Sequence, residues 1–215
     1  MCSITPVEKS EPVRHSSPLK LWLVRHGETE VNAGRWSPEP TLTHLTPKGR
    51  KQARQSAEHV KHQPNLFILS PLIRAQETGL YFTHKWPTTP KLTLPIYEFI
   101  YLSPKRLKRL TPEQRKQEIK QYWLNADPLY CDGDDSESFQ AFLNRVEAFH
   151  TYIMKQSGYI VAIGHGQFFN AFQFGLEHDF NASPMRMCMF RQYEASHPIK
   201  NGETIRKHLH IEVRP

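Results

Sequence analysis

Three short, uninterrupted apolar runs limit what this 215-residue chain can fold into: Lys20–Val24, Leu66–Leu69 and Tyr159–Ile163. Each is too brief for a helix and lacks polar alternation, which is how a strand covered on both faces reads. Helix signals fill the spaces between them. Thr46-Pro47 supplies a cap and a first-turn proline, Ala53, Ala57 and Val60 mark one face, and Pro64 stops the segment. Ser70-Pro71 repeats that opening and predicts a second helix, running to about Phe82. Ser138–Lys155 carries Phe139, Phe142, Leu143, Val146, Phe149 and Ile153 on one stripe, a strong amphipathic helix. Another follows Gly164-His165-Gly166 and reaches about Leu176. Thr29 and Glu30 read as a helix opening directly after the first strand. Lys91–Tyr97 alternates and reads as a strand, and Met187–Tyr193 and Ile205–Val213 read as two late, edge strands. Strand and helix alternating in this way predict an α/β fold of three layers (αβα), with a mostly parallel central sheet.

The stretch 99–135 interrupts the alternation. Pro104–Leu124 is a charged helical region, divisible at Thr111-Pro112, and Cys131–Ser136 is an acidic turn. We expect it to form a helical cap inserted into a single domain spanning 19–215. Residues 1–18 are rich in Pro, Ser and charge and have no apolar core of a secretory signal, so a disordered tail is expected there. No run approaches membrane-span length. Cys2, Cys131 and Cys188 are few and widely spaced, which argues for reduced thiols and a cytoplasmic location rather than a disulfide framework or a zinc site.

The chemistry is concentrated where the apolar runs stop. The first ends in Arg25-His26-Gly27, the last in His165 between two glycines, and Arg74 falls in the first turn of the helix after the second. In a parallel sheet these ends share one edge, the edge at which α/β proteins bind ligands. Two guanidinium groups match phosphate oxygens, and two imidazoles offer a nucleophile and a further donor. Four such groups would repel one another around an empty volume, so a dianion such as a phosphoryl group is the natural occupant. The net charge of +7 suits an anionic partner. Much of it lies in Lys105–Lys120, where seven Lys and Arg stand against Glu113 and Glu118, either a solvated helix face or a lid that attracts anions. Asp132, Asp134 and Asp135 lack the spacing of a calcium loop, and His208 and His210 share a strand face without further ligands.

Arg25-His26-Gly27-Glu28-Thr29-x-x-Asn32 resembles the signature of the histidine phosphatase superfamily, the phosphoglycerate-mutase-like enzymes. Ser70-Pro71-Leu72-x-Arg74-Ala75-x-x-Thr78, Ile163-Gly164-His165-Gly166, Leu45-Thr46-x-x-Gly49-x-x-Gln52-Ala53, and Glu137-Ser138-Phe139 with Arg145 resemble its other motifs, over about residues 20–172. The resemblance implies that His26 attacks phosphorus and becomes a phosphohistidine, and that Arg25, Arg74 and His165 hold the phosphoryl oxygens. It further implies that Asn32 adds an amide donor, and that Glu98 protonates the leaving oxygen and later activates water, which requires a raised pKa. It implies no metal and no cofactor.

Some positions depart from the mutase pattern. Phe99 follows Glu98 where mutases of the family commonly carry an arginine, Arg35-Trp36-Ser37 and Thr41-Leu42-Thr43 replace a usual loop segment, and Gln167 follows His-Gly. The expectation is therefore a phosphatase acting on a phosphorylated small molecule. A phosphoglycerate-type phosphomutase and a basic polyanion- or phosphopartner-binding protein are the alternatives. Nucleic acid is disfavoured, since the basic run has no interleaved aromatics and the chain no nucleic-acid motif. The sequence leaves the substrate and the oligomeric state open.

Overall fold

The computed structural model describes residues 18–210 apart from Trp36 and Pro38. The tail expected over 1–18 lies outside the described residues except for Pro18, as do Cys2 and the part of the late strand beyond His210. β1 (Leu19–Arg25), β2 (Leu66–Leu69) and β4 (Tyr159–Gly164) form on the three apolar runs. With β3 (Lys91–Thr93) and β5 (Thr204–Leu209) they make one sheet in the order β3-β2-β4-β1-β5. All neighbours are parallel except β5, which runs antiparallel to β1 along the edge.

Alternate strand residues feed two apolar layers. Leu19, Leu21, Leu23, Ile68, Ile160 and Ala162 face α5 (Phe139–Ile153), α6 (Gly166–His178) and α7 (Pro184–Ser196). Val24, Phe67, Leu69, Val161 and Ile163 face α1 (Pro47–His59) and α2 (Ile73–Lys85). The result is a three-layer αβα architecture. The first layer is dense in rings: Phe149 meets Phe168 and Phe172 edge-on, with centroids 5.6 and 5.3 Å apart. Among the described residues no helix is long and apolar enough to cross a membrane.

Four local expectations are corrected. No helix opens at Thr29-Glu30. The chain makes an isolated bridge from Thr29 to Leu45 and a turn that Gly34 closes at φ 87°, a left-handed conformation that suits glycine. Ser70 does not cap α2, whose N-cap is Leu72 without a side-chain bond, because the Ser70 hydroxyl pairs with a histidine instead. The third strand stops at Thr93 rather than Tyr97, since Pro95 supplies no N–H for further pairing. Met187–Tyr193 lies within helix α7. Ser183 caps it by accepting from the Arg186 N–H, Pro184 fits its first turn, and Met187 and Phe190, one turn apart, are both fully buried. Phe190 packs 5.7 Å from Phe139 and 5.8 Å from Phe174, and that burial overrides the local resemblance to a strand.

The 99–135 segment contains α3 (Pro104–Leu107) and α4 (Pro112–Asn125), separated at Thr111, which forms a capping box with Gln114. Asp132 fastens it. Its carboxylate accepts from the Ser103 N–H and from Arg106 Nε, both at 2.8 Å, while Arg106 also pairs with Glu118.

Candidate active site

Strand register decides which side chains meet. Arg25 is opposite Gly164 in the β1–β4 pair, and Leu69 is opposite Ile163 in the β2–β4 pair. The ladder continues one residue further, with the His26 N–H donating to the Gly164 carbonyl and the Ser70 N–H to the Ile163 carbonyl, both at 2.9 Å. His26, Ser70 and His165 therefore leave the sheet side by side. β1 can exit here only because Gly27 passes against α1: a Cβ on Gly27 would lie 2.2 Å from the Gly49 carbonyl oxygen.

The His26 ring is 2% exposed and held at both nitrogens. Nδ1–H donates to the Gly27 carbonyl at 2.7 Å, which fixes the tautomer with a lone pair on Nε2. Arg74 Nε, from the first turn of α2, donates to that Nε2 at 3.2 Å. The His165 ring lies 5.0 Å from His26, centroid to centroid, and its Nε2 is 2.8 Å from Ser70 Oγ. With Ser70 donating, His165 Nδ1 carries the proton, and that buried atom has no partner among the described residues. Arg25 Nε is likewise buried without one, while Arg25 Nη1 donates to the Ile199 carbonyl. An anionic ligand within reach would satisfy such buried donors.

Glu98 comes from the irregular segment after β3 and accepts from the Gln167 N–H at 3.0 Å. A nitrogen of His26, a nitrogen of His165 and a carboxylate oxygen of Glu98 all lie within 4.8 Å of one another. Such a trio has the donor types of a metal site. The surroundings oppose it: Arg25 and Arg74 add fixed positive charge, and His26 Nε2 already accepts from Arg74. Burial, then the Arg74 charge, pushes the His26 imidazole down to about 3. The same causes hold His165 well below the ordinary range. Both rings are neutral near pH 7. Burial raises the Glu98 carboxyl against the opposing pull of Arg74 and Arg25, the direction expected of a proton donor.

The structure brings Arg25, His26, Arg74, His165 and Glu98 together. Asn32 is at the exposed margin, where its Oδ1 accepts from Thr29 N, Thr29 Oγ1 and Asn201 Nδ2 at 3.2, 3.0 and 3.1 Å. Sequence reasoning missed several supports. Asn201 also donates to the His26 carbonyl at 3.1 Å, and no local pattern announces it. Ser70 was legible as polar and adjacent to proline, which equally describes a cap. Arg145 forms a two-pronged pair with Glu137, with Nη2–Oε1 at 2.6 Å and Nε–Oε2 at 2.8 Å. It also donates to the carbonyls of Pro95, Tyr97 and Glu98, so it ties down the backbone that carries the Glu98 carboxylate.

An open-edged α/β sheet that gathers two arginines, two neutral histidines and a raised carboxyl at its carboxyl ends is built to hold and process an oxyanion. The family profile described as Histidine phosphatase superfamily (branch 1) matches residues 21–197, and the chain belongs to that superfamily. It is similar to an adenosylcobalamin/alpha-ribazole phosphatase from Salmonella typhi, 36% identical over 137 residues, covering 61% of this chain and 65% of that protein. The match thus spans slightly less than two thirds of that relative's length. A protein of the same description from Escherichia coli is 28% identical over 151 residues, covering 68% of this chain and 73% of the relative. Among solved structures, the alpha-ribazole phosphatase from Shigella flexneri shares the fold with a TM-score of 0.67 and 23% identity, covering 87% of this chain and 89% of that one.

Proposed function

We propose that the chain is a metal-independent phosphomonoesterase working through a phosphohistidine on His26. The observation that carries the reading is the His26 ring: buried, neutral, its Nδ1–H committed to Gly27 and its Nε2 lone pair turned toward Arg74. Nε2 attacks phosphorus and the P–O bond to the alcohol breaks, as Arg74 exchanges its bond to Nε2 for one to a phosphoryl oxygen. Arg25, Arg74 and the His165 Nδ1–H hold the equatorial oxygens, where charge redistributes in the transition state. Asn32, its Oδ1 taken up by neighbours, contributes its amide N–H. Glu98 gives its proton to the departing alkoxide, then takes one from the water that cleaves the P–N bond and releases phosphate. The raised carboxyl of Glu98 fits the first of these duties.

The 99–135 segment acts as a cap over the site of a single domain, and the partner is a phosphorylated small molecule handled in the cytoplasm. An alpha-ribazole-type phosphate, suggested by the names of the relatives, is one substrate to assay. Phe99, buried against Phe142, occupies the position where a mutase of the resembled type would present an arginine, which supports hydrolysis over phosphoryl transfer between sugars or acids. The polyanion-binding alternative loses part of its support because Arg106, one of the seven basic residues, is paired with Asp132 and Glu118.

p-Nitrophenyl phosphate in excess chelator tests the assignment. The expected result is undiminished turnover with chelator, an acid-labile phosphoryl label on His26, and at least about 1,000-fold lower kcat in His26→Ala. Unchanged turnover in that variant rejects it.

A further inference from the structure

Among the described strands β5 alone runs against its neighbour, so its beginning, rather than its end, lies beside the carboxyl end of β1. The ladder pairs Val24 with Thr204 and then continues past both strands. The Arg25 N–H donates to the Glu203 carbonyl at 3.0 Å, and the Gly202 N–H reaches the Arg25 and His26 carbonyls at 3.1 and 3.2 Å. The turn 200–203 is thereby delivered to the site. It closes on itself, since the Glu203 N–H donates to the Lys200 carbonyl at 3.0 Å and the Lys200 N–H to the Glu203 carboxylate at 2.6 Å. Gly202 completes it in the left-handed region, at φ 77°, and its carbonyl accepts from Ser56 Oγ of α1. Within this turn Asn201 uses both of its side-chain N–H bonds: Nδ2 donates to the His26 carbonyl and to Asn32 Oδ1, each at 3.1 Å. None of the motifs read from the sequence includes Asn201.

We infer that Asn201 is a positioning residue for phosphoryl transfer, holding the nucleophile's backbone and the Asn32 side chain with one amide. The inference rests on the phosphohistidine reading and adds a residue to it. The His26 carbonyl and the Gly27 N–H belong to one peptide plane. Asn201 and Gly202 hold its oxygen, and Thr78 Oγ1 accepts from its N–H at 3.1 Å. The next carbonyl, that of Gly27, is the acceptor for His26 Nδ1–H. Gly27 has no side chain to restrict its backbone, so the direction of that carbonyl has to be set by partners of the plane before it. A plane pinned at both ends turns the Gly27 carbonyl to the ring, and the ring keeps its lone pair on Nε2. Through its second N–H, Asn201 joins the two Thr29 donors on Asn32 Oδ1, which leaves the Asn32 N–H groups for a phosphoryl oxygen. One side chain thus holds the attacking atom and a phosphoryl donor in a common frame without touching substrate.

Two variants of the full chain test it. Asn201→Ala removes both bonds, and Asn201→Asp keeps the shape while replacing the donor with an acceptor. p-Nitrophenyl phosphate is the substrate, because its leaving group needs little protonation and the rate reports attack at phosphorus. Both variants should lower kcat, and the single-turnover rate of labelling His26, by about 10- to 100-fold without a matching fall in Tm. Imidazole nitrogen NMR should show the His26 proton moving from Nδ1 to Nε2 in part of the molecules. Wild-type kcat, labelling and imidazole spectrum in Asn201→Ala overturn the inference, while a labelled His26 keeps the phosphatase reading. Wild-type kcat in Asn201→Asp overturns it too, since donation would then be irrelevant. A loss of rate that tracks a loss of Tm, with the wild-type tautomer retained, assigns Asn201 to the fold alone and likewise overturns it. No label on His26 in the wild-type enzyme overturns the phosphatase reading and this inference with it.

Discussion

Replacing His26 with alanine should flatten the acid side of the stability profile. In the folded chain burial and the neighbouring Arg74 push the imidazole down to about 3 from its ordinary 6.5. Between these values the unfolded chain takes up a proton that the folded chain refuses. The unfolded state then binds more protons, so stability rises with pH and is lost as pH falls from about 6.5 toward 3. At about 1.4 kcal/mol per pH unit, the loss attributable to His26 is about 2 kcal/mol between pH 7.5 and 5. It reaches about 5 kcal/mol below pH 3. His165, held well below its ordinary range by burial and the Arg74 charge, pulls in the same direction. Glu98 pulls the other way: its raised carboxyl keeps a proton that the unfolded chain releases, so its contribution fades as pH rises above 4.5. The wild-type profile mixes the three, and the difference between wild type and His26→Ala reports His26 together with its coupling to His165. Urea unfolding followed by far-UV circular dichroism at pH 7.5, 6 and 5, in buffers free of phosphate and sulfate, gives the numbers. Wild type should lose about 2 kcal/mol more than the variant across that range. Parallel profiles would mean that the ring is not held neutral by its surroundings, and the account of a ready nucleophile would go with it.

Two further substitutions separate chemistry from positioning. Glu98→Gln cannot donate a proton, so phosphatase activity on alkyl phosphates should fall about 100-fold or more, while p-nitrophenyl phosphate, whose leaving group needs little help, falls much less; equal losses on both would remove Glu98 from the acid's role. Arg145→Lys keeps the charge but gives up the two-pronged bond to Glu137 and most of the bonds to the Pro95, Tyr97 and Glu98 carbonyls. It should lower kcat several-fold with alkyl phosphates, shift the pH profile that reports Glu98, and cost about 2–3 kcal/mol of stability; a destabilised variant with an unchanged pH profile would assign Arg145 to the fold alone.

What could be read from the chain, and what could not, follows from where each residue's partners come from. β1, β2 and β4 are covered on both faces, so their strand character is written in consecutive apolar residues. The shared edge of Arg25, His26 and His165 then follows from parallel pairing alone. α7 was misread because Met187–Tyr193 has no internal period strong enough to outvote its apolar content. Only the cluster of Phe139, Phe174 and Phe190 makes the helix the better solution, and two of those rings come from other elements. Ser70 and Arg145 stand in motifs legible in the chain, but their roles were not, for a related reason. A serine before proline describes a cap as well as a histidine's partner, and Arg145, quoted with Glu137 as a motif residue, also acts on backbone carbonyls, which leave no trace in residue identity.

The site's composition sets its own energetic condition. Arg25 and Arg74 remain cationic beside two imidazoles, and the arrangement is tolerable only because burial keeps both rings neutral. Arg25 Nε and His165 Nδ1 are donors without a partner among the described residues. A bound dianion relieves all of these at once: it offsets the two guanidinium charges, accepts from the unpartnered donors, and raises the proton affinity of His26. On the proposed reading, that relief contributes to affinity for phosphoryl oxygens. A reaction that first consumes the His26 lone pair and then restores it starts and ends in the same neutral state. This is why a neutral histidine, rather than the imidazolium that a basic site might suggest, is the form the fold has to protect.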